Sequence, residues 1–285
     1  MLTDWNKDRI LEILLECARI AHRIKTDPLI EIKDDSTPVS NADREIEEYL
    51  NNSFGAENIL GEETFERRDW TELMEQLYHG KGLIVDPIDG TANFINRRSL
   101  WAISIGYAEN GFLKEGAVFA PERGELMISE AGTTWFAVTG KSYPDRAEIL
   151  KVLQPAHSPT RAFGKHSCCN LSQSMTKSGI FTGTNPVIST GSCVCSGLDL
   201  VLEKDAVYMS YAKLWDLAGI LPCLRNLDFY ASDRRGRNLL DCVISPETYC
   251  LDQAAKVPFR LCSPAWIGNS REALETIIPQ CIFEN

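Results

Sequence analysis

Two aspartates near residue 86 are spaced to bind a divalent cation. The segment 86–91 reads Asp-Pro-Ile-Asp-Gly-Thr, so Asp86 and Asp89 flank a proline and an isoleucine. The proline favours an extended backbone at Asp86, and the glycine frees the backbone at the end of the turn. Carboxylates and an exposed carbonyl, such as that of Ile88, are the oxygen ligands that hard divalent cations prefer. The segment therefore predicts a cation site, with a capped surface turn as the alternative.

The residues that follow are suited to a phosphate group. Gly90 and Thr91 precede Ala-Asn-Phe, a sequence that can open a short helix. The first N–H groups of a helix have no partner within it and are available to an anion. A phosphate beside a cation is therefore one chemistry that this part of the chain can support.

Four other polar residues are weak candidates when each is taken alone. Glu62, in a Gly-Glu-Glu-Thr stretch, is one of a glutamate pair of the kind that is usually solvated. Asp43 and Asp216 each fall at the start of a predicted helix, where the helix dipole explains an acid. Lys33 is one lysine among many.

The predicted elements place the acids at the ends of strands and helices. Apolar residues at steps of three and four predict an amphipathic helix between residues 5 and 26. Ser40 or Asn41 is expected to cap a second helix, with Asp43 in its first turn. Residues 59–60 lead into Glu62, and an apolar strand at 83–85 is expected to end at Asp86 and the proline after it. Both acidic motifs are therefore predicted at strand exits.

The remainder of the chain predicts an α/β (α+β) protein with two lobes. An antiparallel meander of about four strands is predicted between residues 101 and 138, and a crossover between 141 and 161. The predicted lobes are residues 1–145 and 146–285. The second lobe is predicted to contain strands at 186–190 and 206–209 and helices at 146–153, 216–226 and 270–278.

Composition restricts the classes of partner. The chain has 285 residues and a formal charge of −11, which disfavours nucleic acid and anionic membrane surfaces. Charged residues near the N-terminus and the absence of a long apolar run lead us to expect a cytoplasmic protein. Its ten cysteines are then expected to be reduced and mostly buried, because their spacing does not match a zinc site.

Taken in order, the motifs resemble the inositol monophosphatase family of magnesium-dependent, lithium-sensitive phosphatases. The resemblance spans roughly residues 5–225 and rests on four segments, at 33–43, 61–63, 86–94 and 215–219. It implies a layered α-β-α-β-α sandwich, a homodimer, and hydrolysis of a small phosphorylated alcohol or sugar.

The resemblance also implies a ligand set. Glu62, Asp86 and the Ile88 carbonyl would bind one Mg²⁺, and Asp86, Asp89 and Asp216 a second. Asp86 would bridge the two ions, and a third, looser Mg²⁺ near Glu62 is described for relatives. Because several converging carboxylates repel one another by several kcal/mol in total, such a cluster requires cations.

The implied catalytic residues are Glu62, Thr91 and Asp43. Thr91, hydrogen-bonded to Asp43, would orient the attacking water, and the N–H groups of Gly90 and Thr91 would receive phosphate oxygens. On this basis, Asp89→Asn is expected to abolish activity while leaving the fold intact.

The implied substrate pocket departs from the family pattern. Gly191, Ser192 and Asp216 match the residues that contact substrate. Inositol-cleaving members carry a glutamate near the place of Met209, whereas this chain has no acid there and introduces Lys213. The sequence therefore favours inositol phosphate less as the substrate, and it favours histidinol phosphate or fructose-1,6-bisphosphate more.

The sequence also bears on three other functions. A 3′(2′),5′-bisphosphate nucleotidase ranks lower because that branch reads Leu-Asp-Gly-Thr-Lys-Glu-Phe where this chain has Ile-Asp-Gly-Thr-Ala-Asn-Phe. A non-catalytic binding or regulatory member of the same fold is disfavoured by the intact acid set. A calcium-binding structural protein is excluded, since the acids are dispersed and lack EF-hand spacing.

Overall fold

A computed structural model describes residues 5–32 and 38–283. The candidate Lys33 lies outside the described residues. The α-helices are α1 (Lys7–Ile24), α2 (Asn41–Phe54), α3 (Trp70–His79), α4 (Thr91–Ile95), α5 (Arg146–Val152), α6 (Gln173–Ser178), α7 (Cys193–Val201), α8 (Leu214–Ala218), α9 (Leu221–Arg225) and α10 (Arg271–Ile277).

The strands are short in the second half of the chain and longer in the first. They are β1 (Ile30–Ile32), β2 (Pro38–Ser40), β3 (Ile59–Gly61), β4 (Lys81–Asp89), β5 (Ala102–Glu109), β6 (Phe112–Ala120), β7 (Glu125–Glu130), β8 (Thr133–Val138), β9 (Gln154–Pro155), β10 (Cys168–Leu171), β11 (Ile180–Phe181), β12 (Val187–Ile188), β13 (Asp205–Ser210), β14 (Tyr230–Asp233), β15 (Ala265–Gly268) and β16 (Cys281–Ile282).

The first sheet has seven strands in the order β3-β4-β5-β6-β7-β8-β9. β3 and β4 are parallel, and the other neighbours are antiparallel. Side chains alternate between its faces, so Leu83 and Val85 pack against α1 and α2 whereas Ile84 faces the opposite side. The predicted meander corresponds to β5–β8 and is confirmed.

The helices α7, α8 and α9 form the layer between the two sheets. On their far side is a five-stranded sheet of order β12-β10-β13-β15-β14. α10 covers its outer face, where Met209 and Trp266 are fully buried. The resulting order of layers is α-β-α-β-α, as predicted. The division into lobes at residue 145 stays a prediction; the first sheet itself continues to β9.

Two predicted element boundaries were wrong. The strand predicted to end at Asp86 continues to Asp89, and its register against β5 shifts between Asp86 and Asp89. A bulge there tolerates the proline, because one residue leaves the hydrogen-bonded ladder. The helix predicted at 216–226 is instead two short helices, α8 and α9, separated by Gly219 and Ile220.

The cysteines follow the prediction in part. Six are buried, but Cys168, Cys193, Cys250 and Cys262 are partly exposed, and all ten are unpaired by disulfides. Among the described residues, none of the helices combines the length and the apolar character needed to span a bilayer.

Candidate metal centre and its cavities

Neighbouring elements bring the predicted acids together at one edge of the first sheet. Glu62 follows β3, and its N–H donates to the carbonyl of Val85 on the adjacent β4 at 3.3 Å. Asp86 and Asp89 lie on β4 itself. Asp216 lies on α8, which packs across β4 and β5 from the interlayer side. Residues distant in sequence therefore meet because β3 and β4 are parallel neighbours covered by one helix.

Carboxylate oxygens of Glu62, Asp86 and Asp216 all lie within 4.8 Å of one another. We call these three residues the acid cluster. Asp86 is only 1% exposed, so its negative charge is removed from water. One Asp86 oxygen accepts a hydrogen bond from the Ile88 N–H at 3.0 Å. Three buried or half-buried acids this close repel unless protons or cations neutralise them.

The pKa values of the acids reflect that repulsion. Burial, followed by the charges of Glu62, Asp216 and Asp89, raises the pKa of Asp86 well above its usual range. Burial and the charge of Glu62 raise the pKa of Asp216 to about 6. The carboxylate form that binds a metal is thus disfavoured in the folded protein until a cation is present.

Asp89 is near the acid cluster but has a different set of partners. Its carboxylate accepts hydrogen bonds from the N–H groups of Cys193, at 3.1 Å, and Val194, at 2.7 Å, and from the Ser192 hydroxyl. Burial and the charge of Asp216 nevertheless raise the pKa of Asp89 to about 7. Asp89 therefore joins β4 to the first turn of α7, besides being a predicted metal ligand.

Thr91 and Asp43 are in hydrogen-bonding contact. The Thr91 hydroxyl is 3.1 Å from a carboxylate oxygen of Asp43 and 3.0 Å from the Ile88 carbonyl oxygen. The other Asp43 oxygen accepts from the Ser40 N–H, at 2.8 Å, and the Ser40 hydroxyl, at 2.6 Å, which completes a capping box at the start of α2. Burial raises the pKa of Asp43 to about 6.

A buried glutamate that sequence reasoning missed holds the loop that carries Glu62. Glu47 is one turn after Asp43 on α2 and is 1% exposed. Its carboxylate accepts from the Glu63 N–H at 2.9 Å and from the Thr64 hydroxyl. The helical spacing of Asp43 and Glu47, which places both on one face of α2, was the available signal. One helix therefore positions both Thr91 and the Glu62 loop.

We expect Glu47→Gln to lower kcat/KM for a phosphate ester about 10-fold or more, because a charge-assisted hydrogen bond contributes about 1.5–3 kcal/mol. The exposed neighbour on the same helix provides a control, Glu48→Gln, which should leave kcat/KM and the melting temperature unchanged. Equal kinetics for Glu47→Gln and the wild type would contradict the positioning role.

Ser104 on β5 sets the position of α8 and hence of Asp216. The Ser104 hydroxyl donates to the Trp215 carbonyl at 3.0 Å and accepts from the Gly219 N–H at 3.2 Å. A Cβ atom at Gly219 would lie 2.7 Å from the Ala117 carbonyl oxygen, so only glycine permits this close packing. The Asp216 carboxylate accepts from the Lys213 N–H at 2.8 Å.

Two cavities flank the acids. The smaller, of about 380 Å³, is lined by Asp89, Asp216 and the predicted substrate residues Gly191 and Ser192. The larger, of about 790 Å³, is lined by Glu62 and, on its other side, by the loop around Lys256. Lys213 borders both cavities. The smaller cavity is therefore the one adjacent to the acids of both β4 and α8.

Met209 does not face the smaller cavity. It is fully buried on the opposite face of β13, in the cluster under α10. Tyr208, Tyr211 and Lys213 line the cavity instead. The cavity wall on this side consists of aromatic rings and a lysine, without a carboxylate from the β13 segment.

The donor set fits a hard divalent cation. The acid cluster offers only carboxylate oxygens, the Ile88 carbonyl lies two residues from Asp86, and each acid needs its charge compensated. Zinc and copper sites normally include histidine or cysteine, and neither is in the acid cluster. The residues present thus suit Mg²⁺.

The chain is similar to known phosphatases. The model of the inositol monophosphatase family matches residues 6–227. A histidinol-phosphatase of Mycobacterium tuberculosis is 33% identical over 147 residues, which are 48% of this chain and 51% of the relative. An inositol-1-monophosphatase of Bacillus subtilis is 35% identical over 158 residues, 53% of this chain and 57% of that protein. The chain therefore matches about half the length of these curated relatives.

Solved structures share the fold. An IMPase/NADP phosphatase complexed with Mg²⁺ and phosphate superposes with a TM-score of 0.61 at 14% identity, covering 95% of this chain and 93% of that chain. At that identity the likeness concerns the fold alone. The layered arrangement described above is therefore shared over nearly the whole chain.

Proposed function

Because the chain belongs to the inositol monophosphatase family, we propose that it hydrolyses small phosphate monoesters with Mg²⁺ at the acid cluster. The observation that carries the proposal is the convergence of Glu62, Asp86 and Asp216, whose carboxylate oxygens lie within 4.8 Å of one another. Phosphoryl transfer depends mainly on positioning and charge neutralisation, which a cluster of this kind supplies once cations are bound.

The residues proposed to hold Mg²⁺ are the acid cluster, Asp89 and the Ile88 carbonyl. Bound Mg²⁺ would neutralise phosphate charge and increase the acidity of a coordinated water. The raised pKa values of Asp86 and Asp216 support this assignment, because both carboxylates gain from a nearby positive charge. The relative that is complexed with Mg²⁺ and phosphate supports the choice of ion.

Thr91 and Asp43 are proposed to orient the attacking water. The Asp43 carboxylate, 3.1 Å from the Thr91 oxygen, can accept the hydroxyl hydrogen. A lone pair of Thr91 is then directed away from Asp43 and can accept a hydrogen bond from water. The N–H groups of Gly90 and Thr91, at the turn into α4, are proposed to receive phosphate oxygens.

The proposed leaving-group pocket is the smaller cavity. It adjoins Asp89 and Asp216 and is bordered by Gly191 and Ser192. Histidinol phosphate, fructose-1,6-bisphosphate and inositol-1-phosphate are the candidate substrates, and a nucleoside bisphosphate ranks below them. The names of the two curated relatives support histidinol phosphate and inositol-1-phosphate, respectively.

A phosphate-release assay over these esters, with Mg²⁺ or with EDTA, tests the proposal. We expect turnover of at least one ester that disappears in EDTA and returns with excess Mg²⁺. Release that is unaffected by EDTA would overturn the metal assignment. Absence of release from every ester, in a folded protein that binds Mg²⁺, would favour the non-catalytic alternative.

The number of ions, inhibition by Li⁺ and a homodimer stay predictions from the family resemblance. Li⁺ inhibition can be measured in the same assay, and light scattering reports the mass of the assembly in solution. Two or three Mg²⁺ per chain are expected in a calorimetric titration.

A further inference from the structure

Two basic residues lie opposite each other in backbone pairing at the edge of the smaller cavity. Lys213 and Arg260 are paired across an isolated antiparallel bridge, and both line the cavity. Backbone hydrogen bonds of 2.9 Å on either side of the pair fix its register. Directly opposite residues in such a pair project to the same side, where like charges repel. The pairing therefore places two positive charges on one side of the cavity.

Lys213 and Arg260 differ in their partners. The Lys213 Nζ is 3.6 Å from a Glu62 oxygen, so it is linked to the acid cluster. The Arg260 guanidinium lies over the Tyr211 ring, 4.4 Å from its centre, and its buried Nε has no hydrogen-bond partner. In the described part of the chain, no carboxylate forms an ion pair with Arg260. Tyr211 thus orients a guanidinium that forms no ion pair with any carboxylate of the described residues.

We propose that Arg260, assisted by Lys213, binds a second anionic group on the alcohol part of the substrate. This rests on the proposed function, because the first anionic group is the phosphate held beside the acid cluster. A guanidinium presents several N–H donors to a phosphate or a carboxylate, and the stacked tyrosine reduces the entropy lost on binding. The cavity, of about 380 Å³, has room for a sugar-sized group between the two anions.

The same charges disfavour a substrate with a cationic leaving group. An ammonium group in the smaller cavity would lie near Lys213 and Arg260, while Asp89 and Asp216 are committed to the proposed cations. Histidinol phosphate, which carries an amine, is therefore expected to have a higher KM than the other candidate substrates. Esters with a second phosphate or a carboxylate are expected to be good ones.

Matched substrate pairs test the subsite. Fructose 1-phosphate and fructose 1,6-bisphosphate differ by one phosphate, whereas glycerol 2-phosphate and 2-phosphoglycerate differ by one carboxylate. We expect KM to be about 10-fold lower for at least one doubly anionic member than for its partner. The two pairs distinguish a phosphate subsite from a carboxylate subsite. Equal KM values within both pairs would overturn the proposal.

Substitution of Arg260 tests the residue itself. Arg260→Gln should remove the KM difference and leave the KM of the singly phosphorylated members unchanged, whereas Arg260→Lys should retain part of it. Arg271→Gln is a matched control, because Arg271 also lies over a tyrosine ring, Tyr230, but borders another cavity. A KM difference that persists in Arg260→Gln would reject the assignment.

Binding without turnover separates this proposal from the proposed function. If no ester is hydrolysed, titration calorimetry with Ca²⁺ in place of Mg²⁺ can compare fructose 1-phosphate with the bisphosphate. Tighter binding of the bisphosphate that requires Arg260 would support the subsite although the phosphatase proposal had failed. If no ester is hydrolysed and the wild type and Arg260→Gln also bind the bisphosphate equally, both the subsite and the phosphatase proposals are overturned.

A separate observation concerns a cysteine pair beside the same cavities. The sulfur atoms of Cys250 and Cys262 are 3.7 Å apart, and both residues are partly exposed. Backbone hydrogen bonds at both residues hold the two segments side by side. The loop that they enclose contributes Gln253 and residues 255–258 to the larger cavity and Val257 to the smaller one.

We infer that Cys250 and Cys262 form a disulfide bond with each other by exchange with a low-molecular-weight disulfide, such as oxidised glutathione. This bond would fix the enclosed loop. One thiolate attacks the glutathione disulfide, forms a mixed disulfide and releases one glutathione thiolate. The second cysteine attacks the protein sulfur of that bond and releases the other glutathione thiolate. The protein loses two electrons, the glutathione disulfide gains them, and the two protons protonate the released thiolates.

The reaction is expected to be slow at neutral pH, because burial and the neighbouring thiol raise the pKa of Cys262 to about 11. Incubation with excess oxidised glutathione, followed by non-reducing peptide mapping, should show a link between Cys250 and Cys262. Cys250→Ser should prevent the link, and Cys168→Ser, at another partly exposed cysteine, should not.

Trypsin cleavage after the exposed Lys256 reports whether the loop is fixed. Cleavage should be several-fold slower in the oxidised protein and should recover after reduction. The inference is overturned if excess oxidant gives no Cys250–Cys262 link or links either residue to a different cysteine. It is also overturned if the link forms and trypsin cleavage after Lys256 is unchanged.

Discussion

Asp86→Asn is expected to lower kcat by about 10³-fold or more and, at the same time, to stabilise the metal-free protein. Asp86 is fully buried within the acid cluster, and its pKa is raised by burial and by three neighbouring carboxylates. Asparagine has nearly the same shape but carries no charge. The substitution therefore removes repulsion in the absence of metal and a ligand in its presence.

The same change at Asp89 is expected to have a different effect on stability. Asp89 accepts hydrogen bonds from the N–H groups of Cys193 and Val194 and from the Ser192 hydroxyl. An asparagine oxygen in place of Oδ2 can still accept from Ser192 and Val194, but the NH2 group then faces the Cys193 N–H, which loses its partner. Asp89→Asn should lower both the activity and the free energy of unfolding. It therefore tests the metal site less selectively than the sequence predicted, since the sequence led us to expect an intact fold.

Melting temperatures in EDTA and in Mg²⁺, together with kcat for a phosphate ester, check both expectations. The exposed Asp8→Asn serves as the control for loss of one negative charge: it should leave kcat unchanged and should not raise the melting temperature, because an acid in the first turn of α1 is favoured by the helix dipole. Wild-type kcat in Asp86→Asn would contradict the metal assignment. A lower melting temperature of this variant in EDTA would contradict the repulsion.

Local patterns were sufficient for much of the fold. The capping box at Ser40 and Asp43 marks the start of α2, and alternation along residues 101–138 marks the meander. These signals succeed because caps and strand alternation are decided by residues close in sequence. The identities of the acids also came from short motifs, whereas their convergence depended on the family resemblance.

The missed features depend on contacts between distant segments. Glu47 acts on the loop after β3, and Arg260 pairs with Lys213 only because two loops meet beside α8. Local helix-forming preference likewise could not show that the tight packing of Gly219 against β5 and β6 separates α8 from α9. Tertiary packing overrides local preference in each of these cases.

The metal-free protein is expected to lose stability as the pH rises from about 4 to about 7. The folded-state pKa is about 6 for Asp43 and Asp216, about 7 for Asp89, and raised well above the ordinary value for Asp86. An unfolded aspartate titrates near pH 3.9. Between these values the folded state binds more protons than the unfolded state, so the free energy of unfolding falls as the pH rises.

Mg²⁺ should oppose this loss, because it compensates the carboxylates that deprotonation leaves charged. Urea unfolding at pH 5 and pH 8, in EDTA and in Mg²⁺, measures the effect. Each excess proton bound by the folded state corresponds to about 1.4 kcal/mol per pH unit, so the two pH series in EDTA should differ by several kcal/mol. Asp86→Asn should reduce that difference, since its neighbours then titrate closer to their ordinary pKa. Equal pH dependence in EDTA and Mg²⁺ would mean that the buried carboxylates are not the site at which the cation binds.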